Sequence, residues 1–88
     1  MTIGEIIRIF QIANEYSNSE LAEKSLMSES MVSQLKSGEK KIDLNKIEVF
    51  ARAFNVRASQ IYLIYELSEE ANLAFLKTLL EVLKLYVD

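Results

Sequence analysis

An all-α fold is the prediction for this 88-residue chain, and three observations support it. The sequence contains no proline, half of its residues are apolar, and the apolar residues recur at intervals of three and four. A chain of this length can bury one core but not two. We therefore expect one domain of five short helices over residues 1–67, followed by an apolar C-terminal helix over residues 68–88.

The first two helices each begin with the same polar signal. Thr2 and Glu5 have the spacing of a capping box, in which each side chain accepts a hydrogen bond from the other residue's backbone. They predict a helix over residues 3–16, whose apolar stripe comprises Ile3, Ile6, Ile7, Phe10 and Ala13. Ser17 and Glu20 repeat the signal and predict a second helix over residues 18–24.

The third helix is predicted over residues 29–37. Ser28 is suited to cap its start, and Gly38 is suited to the left-handed conformation that ends helices. Val32 and Leu35 supply its apolar contacts. The second and third helices therefore follow each other across a tight turn, and a lysine-containing loop comes directly behind the third.

Two further helices follow this loop. Asp43 or Asn45 starts the fourth, and its core stripe comprises Leu44, Ile47, Phe50, Ala51 and Phe54. Asn55 ends it, because asparagine tolerates positive φ. The fifth helix starts after Ser59, and its inward-facing residues are Ile61, Tyr62 and Ile64.

Residues 71–87 are apolar almost all round, more than one packing face requires. A symmetric partner is the economical explanation, because two-fold dimers are the commonest assemblies. The alternative is that the whole segment packs onto its own domain. The residues predicted to form the dimer contact are Phe75, Leu76, Leu79, Leu80, Leu83 and Tyr86.

Composition excludes several classes of function. The chain has no cysteine and no histidine, which removes the thiolate nucleophile, the commonest general base and the commonest metal ligand. The remaining polar residues form no catalytic constellation, so we predict neither enzymatic activity nor a cofactor, metal or small-molecule ligand. Without a run of about 18 apolar residues or a signal peptide, a cytoplasmic protein that does not enter membranes is expected.

The net charge of −3 is unevenly distributed. Seven basic residues and four acids lie between Lys24 and Arg57, so this stretch carries +3. Residues 1–23 and 58–88 each carry −3. The positive charge thus coincides with the third helix and its flanks, where it favours binding to phosphate groups.

Residues 17–62 resemble the Cro/C1-type (XRE) helix-turn-helix of phage repressors and many bacterial regulators. The resemblance is carried by Leu21-Ala22, by SESMVSQL at residues 28–35, by SGEK at 37–40 and by FARAFNV at 50–56. It implies a lambda-repressor-like five-helix domain that regulates transcription, usually as a repressor, and binds inverted-repeat operators as a dimer. The family usually has glycine where this chain has Leu26. A left-handed leucine costs roughly 1 kcal/mol or more, which suggests a remodelled turn.

In such a domain the third helix enters the major groove of double-stranded DNA. We expect Gln34 to pair with adenine N6 and N7, and Glu29 to accept from cytosine N4. The predicted base-reading residues are Glu29, Ser30, Ser33 and Gln34. The predicted phosphate-binding residues are Asn18, Lys24, Lys36, Lys40 and Lys41. The alternative for Glu29 is a charge that complements the helix dipole at its N-terminus. For Gln34 and the lysines the alternative is an ordinary solvated surface side chain.

A different function is also compatible with the same fold. The acidic ends and the apolar C-terminal segment suit a protein-interaction module, such as an antitoxin, an antirepressor or the partner of a regulator. Weak or absent DNA affinity together with a tight protein partner would distinguish this alternative.

Overall fold

The computed structural model describes residues 1–69 together with Ala74, Lys77, Thr78, Glu81, Val82 and Lys84. It contains α1 (Ile3–Ala13), α2 (Asn18–Ser25), α3 (Glu29–Ser37), α4 (Leu44–Ala53) and α5 (Ala58–Leu67). No strand occurs within these described residues, and the predicted all-α fold is confirmed. The six residues predicted to form the dimer contact, Phe75, Leu76, Leu79, Leu80, Leu83 and Tyr86, lie outside the described part of the chain.

One core joins the five helices. α3 packs against α1 and α2, while α4 packs against α2 and α5. The buried apolar residues are Ile6, Ile7, Leu21, Ala22, Val32, Leu35, Ile47, Phe50, Ala51, Phe54 and Ile61. Within the described residues, no helix is long and apolar enough to cross a membrane.

Four residues predicted to face the core do not lie in it: Ala13, Leu44, Tyr62 and Ile64. Leu44 is 57% exposed because it opens α4, and the preceding Ile42 packs against the core instead. In α5 the buried Ile61 shares its face with Tyr65, four residues later, and Tyr65 packs against the core. Tyr62 and Ile64 therefore flank the buried face.

The predicted starts of α1 to α4 are confirmed. The Thr2 hydroxyl accepts from the Glu5 amide at 3.1 Å, and the Glu5 carboxylate accepts from the Thr2 amide at 2.9 Å. These hydrogen bonds lower the pKa of Glu5, and the bond from the Thr2 backbone amide has the largest effect. Ser17 and Glu20 form the same box at α2, and Ser28 caps α3. Asp43, rather than Asn45, caps α4.

The predicted start of α5 after Ser59 was wrong. α5 begins at Ala58, because the Arg57 amide donates to the Gln60 Oε1 at 2.8 Å and so caps the helix before Ser59.

Three helices end in the same way, with a left-handed residue that is not glycine. Glu15, Leu26 and Asn55 each have φ of 57°. The next residue in each case donates its amide to a carbonyl five positions back, at 2.9–3.0 Å. This residue is apolar and packs against the core: Tyr16, Met27 and Val56. The predicted end of α1 at residue 16 was therefore wrong, because the chain must turn at Glu15 to bring Tyr16 inward.

The turn between α2 and α3 is not remodelled. Leu26 adopts the left-handed conformation that the family usually gives to glycine, with its side chain 92% exposed. The strain of about 1–2 kcal/mol is therefore not offset by burial of the leucine itself. It is offset by Met27, whose side chain packs on the core and whose amide donates to the Ala22 carbonyl at 3.0 Å.

We expect Leu26→Gly to raise the free energy of unfolding by up to about 1 kcal/mol, because relief of strain outweighs the extra entropy of glycine in the unfolded chain. Leu26→Ala is the matched control: it shortens the exposed side chain but keeps the Cβ atom that causes the strain. Urea denaturation of both variants gives the result. An alanine variant as stable as the glycine variant would show that the leucine side chain, and not its backbone, causes the strain.

Gly4 allows α1 to lie directly against the end of α3. A Cβ atom at Gly4 would lie 2.9 Å from the Lys36 carbonyl carbon and 3.1 Å from the Leu35 carbonyl oxygen, and closer still to the Lys36 oxygen. Any other residue at this position must therefore push the two helices apart. The position of α3 against α1 thus depends on residue 4 having no side chain.

Candidate nucleic-acid interface

α3 carries a polar face opposite its buried side. Val32 and Leu35 are buried, at 0% and 1% exposure. The polar face comprises the exposed Glu29, Ser30 and Ser33 and the half-buried Gln34. These residues form two adjacent columns along the helix, because Glu29 and Ser33, like Ser30 and Gln34, are four positions apart. All four predicted base-reading residues therefore lie on one side of α3, and their role in base reading stays a prediction.

The loop that carries Lys40 and Lys41, called the lysine loop below, is hydrogen-bonded to the end of α3. Gly38 has φ of 85°, and the Lys40 amide donates to the Gln34 carbonyl at 3.0 Å. The Ser37 hydroxyl donates to the same carbonyl at 3.2 Å. Lys40 and Lys41 are both exposed. Two ammonium groups are thus available to a phosphate close to the polar face.

Lys36, in the last turn of α3, lies in a polar network with α1 and α2. Its ammonium donates to the Gln11 Oε1 at 2.7 Å and to the Asn18 Oδ1 at 2.7 Å. The Gln11 Nε2 in turn donates to the Asn18 Oδ1 at 3.0 Å and to the Tyr16 carbonyl at 3.1 Å. The predicted phosphate-binding residues Asn18 and Lys36 are therefore in direct contact, and a phosphate role for either stays a prediction.

The ammonium of Lys36 is in an unusual environment for a surface lysine. Partial burial lowers its pKa, and the positive charge of Arg8 adds to this effect. Its two hydrogen bonds to neutral amide oxygens favour the charged form and oppose the loss of hydration. Within the described residues, Lys36 therefore joins three helices through hydrogen bonds and forms no ion pair.

Lys24 contacts an aromatic ring at the corner between α1 and α2. Its Nζ lies 4.9 Å from the centre of the Tyr16 ring, a cation–π contact that stabilises exposed sites by about 0.5–1 kcal/mol. The Tyr16 ring itself stacks on Phe54. Lys24 thus supports the corner between α1 and α2, and its predicted phosphate contact stays a prediction.

Sequence reasoning missed two residues near this interface. Gln11 is only 7% exposed and is four positions after the buried Ile7, so it interrupts an apolar stripe. A buried polar side chain requires partners, and this position in the stripe was the available signal. Arg8 was counted with the acidic N-terminal segment, yet it lies close enough to Lys36 to lower the pKa of that lysine.

Comparison with known families gives one finding. A helix-turn-helix family model matches residues 6–61, which include all of α2, α3 and α4 and most of α1. Every residue of the polar face, the lysine loop and the Lys36 network lies inside this match. Searches among curated proteins and solved structures gave no match.

Proposed function

Because this chain belongs to the Cro/C1-type (XRE) helix-turn-helix family, and is thus a DNA-binding regulator of that type, we propose that it represses transcription from an inverted-repeat operator. α3 is the recognition helix in this proposal. Gln34 reads adenine, Glu29 accepts from cytosine N4, and Ser30 and Ser33 donate to bases or phosphates.

The arrangement of α3 is the observation that carries this proposal. Its buried side is anchored by Val32 and Leu35, while the polar face is turned outward and the lysine loop follows directly. A recognition helix requires this combination, because phosphate contacts position the protein and base contacts specify the sequence. The net charge of +3 between Lys24 and Arg57 provides attraction to DNA despite the acidic chain.

The operator proposal includes a homodimer. Two recognition helices in adjacent major-groove segments require half-sites about one helical turn apart. We propose that the apolar C-terminal segment holds the two copies together, through Phe75, Leu76, Leu79, Leu80, Leu83 and Tyr86. Sedimentation of the protein alone and with DNA checks this, and a monomer bound to a single half-site would contradict it.

The test of DNA reading is a salt titration of binding to genomic DNA fragments. We expect the wild type to select particular fragments, and Gln34→Ala to lower the preference by about 1–3 kcal/mol at one base pair. The double variant Lys40→Ala/Lys41→Ala should weaken binding to all fragments and reduce the slope of log K against log salt by about 1.8.

Lys77→Ala/Lys84→Ala is the matched control for this experiment, because it removes the same charge from exposed helical positions outside the family match. It should leave the salt slope close to that of the wild type. An equal loss of slope in both double variants would mean that binding depends on total charge and not on the lysine loop. Absence of DNA binding by the wild type at low salt would contradict the proposal itself.

One observation favours the second candidate, a protein-interaction module. Ile9 and Ile12 lie one turn apart on α1 and are 45% and 69% exposed. Leu63 on α5 is also partly exposed, at 38%. Exposed apolar side chains of this kind suit a protein partner, and failure of the DNA titration would direct attention to them.

A further inference from the structure

The network around Lys36 determines which end of the Asn18 amide faces outward. A lysine ammonium has three donors and no acceptor, so the atoms of Gln11 and Asn18 that lie 2.7 Å from it must be oxygens. The nitrogen of Gln11 is then the atom that lies 3.1 Å from the Tyr16 carbonyl, which accepts only. The chemistry of the partners therefore fixes the orientation of both amides.

With this assignment, the Asn18 Oδ1 accepts two hydrogen bonds, from Lys36 and from Gln11. Its Nδ2 is on the other side of the amide carbon, and the hydrogen bonds of this side chain within the described part of the chain are both made by Oδ1. Asn18 itself is exposed. Within the described residues, the side chain thus presents two N–H donors without a partner next to α3, with its acceptor turned toward Lys36 and Gln11.

This orientation matters for an anionic ligand. A phosphate oxygen accepts hydrogen bonds, so it is attracted by the amide N–H groups and repelled by the amide oxygen. A free asparagine amide rotates readily between its two orientations, because its terminal torsion has a broad, roughly two-fold distribution. Holding one orientation before binding removes part of the ordering cost of binding.

We infer that Gln11 and Lys36 are positioning residues that hold the Asn18 amide ready to donate to a DNA phosphate. This inference rests on the proposed function. It assigns Lys36 a different task from that of Lys40 and Lys41: Lys36 orients another side chain, whereas the lysine loop neutralises phosphate charge directly. It also gives Gln11, on α1, a part in DNA binding without any contact with DNA.

The test is a set of double-mutant cycles on the selected DNA fragment. Asn18→Ala should weaken binding about tenfold, the effect of losing one hydrogen bond to a charged group. Lys36→Met should weaken it about fivefold, with a salt slope within about 0.3 of the wild type. In the Asn18→Ala background, Lys36→Met should change affinity less than about twofold, because the side chain it orients is already absent.

Lys40→Met is the matched control, since it makes the same chemical change in the lysine loop. It should reduce the salt slope by about 0.9 and weaken binding equally in the wild-type and Asn18→Ala backgrounds. Gln11→Met removes the other hydrogen bond that orients Asn18, without changing the charge of the protein. It should also weaken binding, and this effect should disappear when Asn18 is absent. Thermal unfolding followed by circular dichroism identifies the variants that are folded at the assay temperature.

The outcomes separate the two proposals. In one outcome, Lys36→Met reduces the salt slope as Lys40→Met does, with an effect that adds fully to that of Asn18→Ala. This result would show that Lys36 binds phosphate directly, and it would overturn the positioning role but not the proposed function. Should Lys36→Met fail to fold, additivity of Gln11→Met with Asn18→Ala would overturn it equally. Lack of DNA binding by the wild type would overturn the proposed function and this inference together.

Discussion

We expect Gly4→Ala to lower the free energy of unfolding by about 3 kcal/mol, at the upper end of the range for overpacking. Alanine in an ordinary exposed helix would instead stabilise the protein by about 0.5–1 kcal/mol relative to glycine. The sign is reversed here because the added methyl group would meet the Lys36 carbonyl at the end of α3. That neighbour is backbone and cannot rotate away. For a domain of this size the melting temperature should fall by roughly 15 °C.

Gly38→Ala is the control for this variant, since the two glycines differ in what surrounds them. Apart from its chain neighbours, no atom of the described residues lies within 4 Å of a Cβ at Gly38, but its φ of 85° is strained for alanine. The expected loss is about 1 kcal/mol, from conformation alone. Urea denaturation compares the two variants. A Gly4→Ala protein as stable as the wild type would contradict the close approach of α1 to α3.

Phe54→Ala should lower the free energy of unfolding by about 3–5 kcal/mol. The Phe54 ring is the centre of an aromatic cluster, with ring centroids 5.3 Å from Phe10, 6.1 Å from Tyr16 and 6.4 Å from Phe50. These partners belong to α1, to the corner before α2, and to α4. Removing the ring therefore leaves a cavity where three parts of the chain meet.

Phe54→Leu separates the volume of this ring from its stacking. Leucine fills most of the space, so a loss of about 1–1.5 kcal/mol is expected. The difference between the two variants in chemical denaturation measures the contribution of the cavity. If Phe54→Ala costs no more than Phe54→Leu, the surrounding side chains must collapse into the space, and the cluster does not hold the three parts in place.

Signals confined to a few residues predicted this fold well. The caps at Thr2, Ser17 and Ser28 and the end at Gly38 depend on hydrogen bonds between near neighbours, which spacing reveals. Burial was harder to predict where a helix begins or is only partly covered. Leu44 fits the apolar period of α4 but precedes the part of that helix that reaches the core. Periodicity identifies the face of a helix, but it does not show how far the neighbouring helices extend along it.

The candidate interface was also predictable from the sequence only in part. The polar face follows from α3 alone, because spacing determines which residues share a side with Gln34. The contact of Lys36 with Gln11 joins residues 25 positions apart and depends on how α1 meets α3. Lys36 was predicted to bind a DNA phosphate, whereas the fold brings two amide oxygens to its ammonium. The conformation of Leu26 was also not predictable from local sequence. The packing of Met27 outweighs the preference of leucine against the left-handed conformation.

The three left-handed corners at Glu15, Leu26 and Asn55 bear on how the chain finds its fold. Each corner is closed by a hydrogen bond spanning five residues and by the apolar side chain that follows it. The direction in which one helix leaves another is therefore decided among close neighbours, with little loop-closure entropy to lose. Successive helices can acquire their relative directions before distant segments meet, and the remaining search is the docking of these preformed corners around Phe50 and Phe54.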